Sequence, residues 1–243
     1  MICWEVSFVR QTIKLIALDL DGTILQEDHR SISPRTIAVL KRAYENGIQL
    51  VLATGRMRGN LPSAVGEIPG VRYLILSNGA SIYDKTLQQE IYTACLKRDA
   101  VLQVCDIAEN YGIYAEIYSG GKAYGLGDIR QVHQAYEGQE GRLTLIEKPV
   151  EKIESAAQFL AQGHAVEKIN LPYLESEQWE LFSPVKGVSF TSSLPGNLEI
   201  NDLGANKGVA LQLLCRKLNI VSEETLAFGD GGNDVEMLEF AGT

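Results

Sequence analysis

The first third of the chain alternates mainly apolar runs with a helical pattern. Residues 14–18, 48–53 and 71–76 are runs of this kind, which are typical of strands buried on both faces of a parallel sheet. Between the first two runs, Ser33-Pro34 has the residue types that begin a helix, and Asn46-Gly47 has those that end one. This order of strand, helix and strand predicts a doubly wound α/β domain.

The pattern changes after Tyr83. Apolar positions over residues 101–108 have helical spacing, and the alternation over residues 114–118, followed by Gly120-Gly121, predicts a β-hairpin and hence antiparallel sheet. A second helical pattern around residues 153–160 completes an α+β segment. We therefore predict two domains: a first domain of residues 1–83 and 188–243, and an inserted domain of residues 84–187.

The α/β pattern returns at the end of the chain. Residues 206–219 have the periodicity of a helix, residues 226–228 form a short apolar run, and residues 233–241 form a last helical pattern before Gly242. The predicted fold is therefore an α/β core with a doubly wound parallel sheet, into which an α+β domain is inserted.

Composition narrows the class of protein. A net charge of −9 repels nucleic-acid phosphates, so we expect no nucleic-acid partner, and a site for a phosphorylated ligand needs a local cation. The sequence contains neither an apolar stretch of the ~20 residues that cross a bilayer nor a signal-peptide pattern, which predicts a cytoplasmic protein without a membrane partner. The four cysteines fit neither a zinc site nor a disulfide framework and are expected to be reduced, and the three histidines are given no role.

Two carboxylates follow the first apolar run. Asp19 and Asp21 stand in Asp-Leu-Asp-Gly-Thr, at a strand end where open α/β sheets bind ligands. Because unpaired carboxylates are unfavourable there, we expect a hard cation such as Mg²⁺, which prefers oxygen ligands. Asp19 can attack phosphorus and Asp21 can act as general acid and base, with Gly22 permitting a sharp turn. The tetrapeptide alone would also fit a turn that caps a helix.

Two weaker candidates lie elsewhere in the α/β pattern. Thr54 and Gly55 follow the second apolar run, where a hydroxyl and backbone N–H groups can bind a phosphate oxygen, although a simple cap fits them too. Lys207 begins a predicted helix and can neutralise a phosphate as a point charge, although most lysines are solvated surface residues.

An acidic, glycine-rich corner follows the last apolar run. In Gly-Asp-Gly-Gly-Asn-Asp, residues 229–234, Asp230 suits direct metal binding and Asp234 suits a supporting carboxylate. Charge stabilisation at a helix N-terminus is the alternative role for Asp234.

Together these four elements resemble, in order and context, the four motifs of the haloacid dehalogenase superfamily. The resemblance covers nearly the whole chain and implies a Rossmann-like core with Asp19 as nucleophile and Asp21 as general acid/base. Dehalogenases of the superfamily lack the second aspartate, so Asp21 argues against dehalogenation. The ligands that the resemblance implies are Thr54 and Lys207 for phosphate and, for magnesium, Asp19, the backbone carbonyl of Asp21, Asp230 and, in support, Asp234.

The place of the insert resembles the Cof-type subfamily. The insert follows Ser77-Asn78-Gly79-Ala80, and Leu198-Glu199-Ile200 stands just ahead of Lys207. This resemblance implies a cap domain over the active site and a position near the phosphate for Asn78. It also implies a small phosphorylated metabolite as substrate, such as a sugar phosphate, flavin mononucleotide or pyridoxal phosphate.

The sequence leaves the substrate and the oligomeric state open. Tyr114, Glu116 and Tyr118 in the predicted hairpin are candidate specificity residues, although a place in the cap core or on its surface fits them as well. Family members usually continue for some tens of residues after the fourth motif, so the resemblance implies that a chain ending at Thr243 is shortened.

Two functions compete with a phosphatase. A phosphomutase would share this core and cap but return the phosphate to its sugar, and a catalytically inactive homologue would only bind the ligand. The presence of Asp19, Asp21, Lys207 and Asp230 argues against the inactive homologue, because a binding protein has no need of the second aspartate.

Overall fold

The described residues, 12–139, 151–193 and 195–243 of a computed structural model, contain two six-stranded sheets. The strands of the first sheet are β1 (Leu15–Leu18), β2 (Gln49–Ala53), β3 (Val71–Leu76), β4 (Ser81–Asp84), β5 (Gln89–Thr93) and β12 (Thr225–Phe228). The strands of the second sheet are β6 (Ala115–Ser119), β7 (Lys122–Leu126), β8 (Glu151–Lys152), β9 (Lys168–Leu171), β10 (Val188–Thr191) and β11 (Leu198–Asp202).

Six α-helices cover these sheets within the described ranges. They are α1 (Pro34–Glu45), α2 (Arg98–Asn110), α3 (Arg130–Ala135), α4 (Ala156–Ala161), α5 (Lys207–Leu218) and α6 (Val235–Phe240). Side chains cap two of the predicted helices as expected: Ser33 Oγ accepts from the Thr36 N–H, and Asn206 Oδ1 accepts from the Val209 N–H. Asn219 ends α5 in the left-handed conformation.

The first sheet is the predicted α/β core. Its strand order is β12-β1-β2-β3-β4-β5. The first four strands in this order are parallel to one another, whereas β4 pairs antiparallel with β3 and β5 pairs antiparallel with β4. α1 packs on one face of the sheet, and α5 and α6 pack on the other. Helices on both faces explain why β1 is apolar along its whole length and β2 is apolar after Gln49, and the predicted doubly wound arrangement is confirmed.

The second sheet is the predicted antiparallel sheet of the insert. Its order is β10-β11-β9-β6-β7-β8, and every pair except β7 with β8 is antiparallel. β6 and β7 form the predicted hairpin, whose turn places Gly120 and Gly121 at φ of 59° and 76°. α2 and α4 pack on one face of this sheet, around Val101, Ile117 and Phe159.

The pairing of the strands does not follow the predicted division into domains at either bound. β5, which the predicted division assigned to the insert, pairs with β4 at the edge of the first sheet. β10 and β11, which follow residue 187 and were assigned to the first domain, belong to the second sheet. The first sheet therefore runs on to Thr93 and the second to Asp202. A strand pattern identifies a strand but not its partner, because the pairing is decided by long-range contacts.

Two further observations bear on the sequence predictions. Among the residues described, no helix is both long enough and apolar enough to span a membrane. Cys95, Cys105 and Cys215 are free, and the last two are buried, whereas Cys3 lies outside the described residues.

Candidate active site

The carboxyl ends of β1, β2 and β12 meet at one edge of the first sheet. Asp19 follows β1, Thr54 follows β2, and Asp230 comes two residues after β12. Because these strands are parallel, their following turns converge. A cavity that opens to solvent separates this edge from the second sheet, and Asp19, Asp21, Gly55 and Asp230 line it.

Asp19 and Lys207 form a buried ion pair at this edge. Lys207 Nζ lies 2.7 Å from Asp19 Oδ1 and 2.6 Å from Asp234 Oδ1, and the Lys207 side chain is fully buried. Lys207 is the first residue of α5, a position that the Asn206 cap defines. The structure therefore brings together the first, third and fourth sequence elements, although they are far apart in the chain.

Burial governs the protonation of this pair. It raises the pKa of Asp19 to about 6, although the Lys207 ammonium opposes the rise and Asp234 adds to it. Burial also disfavours the charged form of Lys207, but the two aspartates outweigh this and raise its pKa above the ordinary value. A charged ammonium therefore holds the Asp19 carboxyl in place.

The turn after Asp19 depends on Gly22. Gly22 has a φ of 79°, and a Cβ at this position would overlap the carboxylate of Asp230. Thr23 Oγ1 donates a hydrogen bond to Asp230 Oδ1 at 3.1 Å. The glycine that the sequence marked as a turn residue thus permits the first and fourth elements to approach each other.

Asp21 is held by two residues, Arg56 and His29, for which no role was predicted from the sequence. Arg56 Nε donates to Asp21 Oδ2 at 2.7 Å, Arg56 Nη2 donates to Asp21 Oδ1, and His29 Nδ1 lies 2.9 Å from Asp21 Oδ1. Burial alone would raise the pKa of Asp21, but the Arg56 guanidinium and the His29 ring lower it. Arg56 directly follows the candidate residues Thr54 and Gly55 in the sequence, which is a signal that could have identified it, whereas His29 has no such neighbour.

The acidic residues at this edge suit a divalent cation. One carboxylate oxygen from each of Asp19, Asp230 and Asp234 lies within 4.8 Å of the others. Among the described residues, Asp19 and Asp234 are ion-paired with one cation, Lys207, and Asp230 forms no ion pair. The negative excess and the oxygen ligands together match the preferences of Mg²⁺.

Asp234 makes contacts that orient its neighbours. Its Oδ1 accepts from Lys207, and its Oδ2 accepts from the backbone N–H groups of Asp230 and Gly231, at 3.1 and 2.9 Å. Its side chain makes no capping hydrogen bond at the start of α6. These contacts favour a supporting carboxylate over simple charge stabilisation of the helix.

Thr54 and Gly55 form a tight turn beside the cavity. Thr54 is buried, and its Oγ1 accepts from the Arg56 N–H at 3.1 Å, which is the local role that the sequence left open. Gly55 lines the cavity, and a Cβ there would lie 2.7 Å from Asn78 Oδ1. The glycine therefore lets the backbone approach both the cavity and the next loop.

Asn78 joins the two sheets. Its Nδ2 donates to Glu199 Oε2 at 3.0 Å and to Asn201 Oδ1 at 3.2 Å, and its Oδ1 accepts from Asn233 Nδ2 at 3.1 Å. Both amide protons are thus directed to the second sheet in this arrangement. Phosphate binding by Asn78 stays a prediction.

The second sheet supplies the opposite wall of the cavity. Tyr118, Lys168 and Asn170 line it, so one of the three candidate specificity residues faces the site. Glu116 lies behind Tyr118 and accepts from the Tyr118 hydroxyl at 3.3 Å and from Asn170 Nδ2 at 2.9 Å. Tyr114 does not line the cavity, and it packs with Val132 and Tyr136.

The chain is similar to a known protein family and to several known phosphatases. A family model described as haloacid dehalogenase-like hydrolase matches residues 16–243. Phosphatase YwpJ of Bacillus subtilis (strain 168) is 28% identical over 252 residues, which cover 95% of this chain and 87% of that protein. The HMP-PP phosphatase of Serratia proteamaculans (strain 568) is 30% identical over 246 residues, which cover 94% of this chain and 81% of that protein.

The fold also recurs in a solved structure of a haloacid dehalogenase-like hydrolase from B. subtilis. The TM-score is 0.81 at 26% identity, over 95% of this chain and 87% of that chain. This likeness confirms the predicted α/β core with its inserted α+β domain.

Proposed function

Because the chain belongs to the haloacid dehalogenase-like hydrolases, we propose that it is a Mg²⁺-dependent phosphatase that hydrolyses phosphate monoesters of small metabolites through an aspartyl-phosphate. One observation carries this proposal. The buried Asp19 carboxyl is held by Lys207 at the floor of a cavity, with Asp21 lining the same cavity.

Asp19 is the proposed nucleophile. In the first step an oxygen of its carboxylate forms a bond to phosphorus, and the bond from phosphorus to the leaving oxygen breaks while Asp21 donates a proton to that oxygen. In the second step a water oxygen attacks phosphorus, Asp21 takes the proton of the water, and the bond from phosphorus to Asp19 breaks. Inorganic phosphate and the free enzyme result.

Arg56 influences the protonation state of Asp21 before the substrate binds. The lowered pKa of Asp21 favours its carboxylate, which is the form that accepts a proton from water. The acid step needs the protonated form, so we expect substrate binding to loosen Asp21 from Arg56. This requirement makes Arg56 part of the proposed machinery.

The remaining site residues would bind the phosphate and the cation. Lys207 and the Thr54-Gly55 turn would hold the phosphate oxygens, and Asp19, the carbonyl of Asp21 and Asp230 would hold Mg²⁺ with Asp234 in support. When bound, the cation would offset the charge of the phosphate and of the carboxylates around it. The net negative site supports this assignment, since a phosphate dianion would otherwise be repelled.

The substrate class follows from the relatives and from the cavity. The HMP-PP phosphatase of Serratia proteamaculans is named for a small phosphorylated compound. The polar wall of Tyr118 and Asn170 suits a leaving group with hydroxyl or ring-nitrogen groups, as in a sugar phosphate, flavin mononucleotide or pyridoxal phosphate. A cytoplasmic location stays a prediction.

Phosphate release from a panel of such metabolites tests the proposal. We expect release with Mg²⁺, loss of release with EDTA and recovery when Mg²⁺ is added back. Asp19→Asn should lower turnover by about a thousandfold or more, because the amide is a poor nucleophile. Asp106→Asn, the same change at an exposed position of α2, should leave turnover unchanged.

Three outcomes would contradict the proposal. Equal release in EDTA would exclude the metal, and a fully active Asp19→Asn would exclude the nucleophile. Release that requires a sugar bisphosphate activator would favour the phosphomutase.

A further inference from the structure

Lys168 is a buried cation that none of the sequence elements includes. It lies in β9 of the second sheet with 1% of its surface exposed, yet it lines the cavity above the core. A buried lysine is unfavourable unless its three donors and its charge are all satisfied. The partners of Lys168 therefore indicate what it does.

Two N–H groups of Lys168 have hydrogen-bond acceptors within the protein. Nζ donates to the backbone carbonyl oxygen of Gly55 at 2.7 Å and to Glu199 Oε1 at 2.7 Å. The ammonium also lies 4.7 Å from the centre of the Tyr118 ring, a cation–π contact. Because these partners all belong to the protein, the geometry favours a role in holding protein groups over a role in binding the substrate.

The bond to Gly55 reaches the phosphate-binding turn. Lys168 holds the carbonyl of the peptide between Gly55 and Arg56, and Thr54 Oγ1 holds the N–H of the same peptide at 3.1 Å. Both sides of this peptide plane are therefore held, one from the second sheet and one from the first. The side chain that follows it is Arg56, which binds Asp21.

We propose that Lys168 is a positioning residue that orients the Gly55–Arg56 peptide, and through Arg56 the Asp21 carboxyl, when the second sheet is closed over the core. Glu199 is its counterion, and Glu199 in turn accepts from Asn78 of the core. The inference rests on the proposed function in that its kinetic consequence requires Asp21 to act in catalysis.

The kinetic test compares a variant that removes both charges of the buried pair with one that removes only the carboxylate. Lys168→Met alone would leave Glu199 unpaired and could unfold the protein, so the double variant Lys168→Met/Glu199→Gln is compared with Glu199→Gln, which retains the ammonium. We expect the double variant to have a kcat about ten- to a hundredfold lower than that of Glu199→Gln, with KM changed far less. The loss should be equal for p-nitrophenyl phosphate and for the best metabolite substrate.

A remote ion pair provides the control. Arg72→Met/Asp84→Asn removes a bidentate pair between β3 and β4 that does not line the cavity, and its kcat should match that of the wild type. A double variant at Lys168 and Glu199 with a kcat within twofold of Glu199→Gln would overturn the inference. A loss confined to the larger substrate would also overturn it, since that result would indicate substrate contact.

A second readout does not depend on activity. In ¹⁵N-resolved NMR spectra, the backbone amide resonances of Arg56 and Gly55 should move in the double variant and stay in place in Arg72→Met/Asp84→Asn. Unmoved resonances would contradict the positioning role. If the wild type released no phosphate from any substrate, the proposed function would fail, while these spectra would still decide whether Lys168 orients the turn.

Discussion

The two sheets face each other across the cavity with buried charges on both sides, and they balance those charges differently. At the edge of the first sheet, the buried carboxylates of Asp19 and Asp234 share the ammonium of Lys207, and the exposed Asp230 beside them has no ion pair among the described residues. On the facing side of the second sheet, Glu199 is paired with Lys168 at 2.7 Å. The first region keeps a negative excess that suits a cation, whereas this pair in the second region neutralises itself.

The carboxyl groups of Glu116 in the second sheet and Asp21 at the core edge also differ in how their charge is balanced. Its hydrogen-bond partners, Asn170 and Tyr118, are neutral, and burial raises its pKa to about 7. Asp21 is partly buried, but Arg56 keeps its pKa below the ordinary value. The difference shows that a paired guanidinium favours the ionised form of Asp21, whereas the buried Glu116, with neutral hydrogen-bond partners, has a pKa near neutrality.

Among the substitutions that test this comparison, we expect the largest effect on turnover from a change at Arg56. Arg56→Lys keeps the positive charge but loses the paired hydrogen bonds to Asp21. We expect kcat to fall about tenfold or more with a smaller change in KM, because a hydrogen bond to a charged group is lost. Steady-state kinetics on the best substrate measures this.

Arg72→Lys is the matched control for Arg56→Lys. Arg72 makes a similar paired contact with Asp84, away from the cavity. Its kcat should equal that of the wild type, and an equal loss in both variants would show that the effect at Arg56 is one of general stability.

A smaller effect is expected at the second sheet. Tyr118→Phe removes a hydroxyl from the cavity wall and should change the ratio of kcat/KM between two substrates with different leaving groups by roughly fivefold. Tyr114→Phe, at a residue that does not itself line the cavity, should leave this ratio unchanged. A uniform loss for both substrates in Tyr118→Phe would place this residue with the chemistry instead.

The smallest effect on turnover is expected at Glu116, where the change appears in stability. The pKa of Glu116 is about 7 in the folded protein and ordinarily 4.5, so the folded state binds more protons between these values and loses stability as pH rises through them. Glu116→Gln should therefore be more stable than the wild type at pH 8, by up to about 3 kcal/mol, and nearly equal to it near pH 4.5.

Urea unfolding at the two pH values measures this difference. Glu109→Gln, on the exposed side of α2, should follow the wild type at both values. A Glu116→Gln variant that is less stable than the wild type at pH 8 would show that its carboxylate is stabilising.

The sequence predicted the core edge better than the facing wall. At the core edge, polar residues follow strands whose last three residues are apolar, so Asp19, Thr54 and Asp230 stand out at strand ends. The pairing of Arg56 with Asp21 joins positions 35 residues apart, and only the fold shows that they meet. His29 reaches Asp21 from a loop that has no pattern of its own.

The cavity wall formed by the second sheet could not be recognised from the sequence, because its strands have a common alternating pattern. Polar residues alternate with apolar ones along β6, β9 and β11, which is typical of a strand with one face in water. In the structure the polar members are buried, because that face lies against the core: they are Glu116, Tyr118, Lys168, Asn170, Glu199 and Asn201. Alternation therefore revealed the strands and their two faces but not what covers the polar face.

The mass of the peptide that contains Asp19 tests the central claim most directly. It is measured after acid quench of Asp21→Asn turning over p-nitrophenyl phosphate with Mg²⁺. Nitrophenolate leaves without a proton, so the first step survives, and the second step lacks its base, so the adduct accumulates. We predict one phosphate on Asp19. Continued release of nitrophenolate with an unmodified Asp19 peptide would contradict the aspartyl-phosphate route.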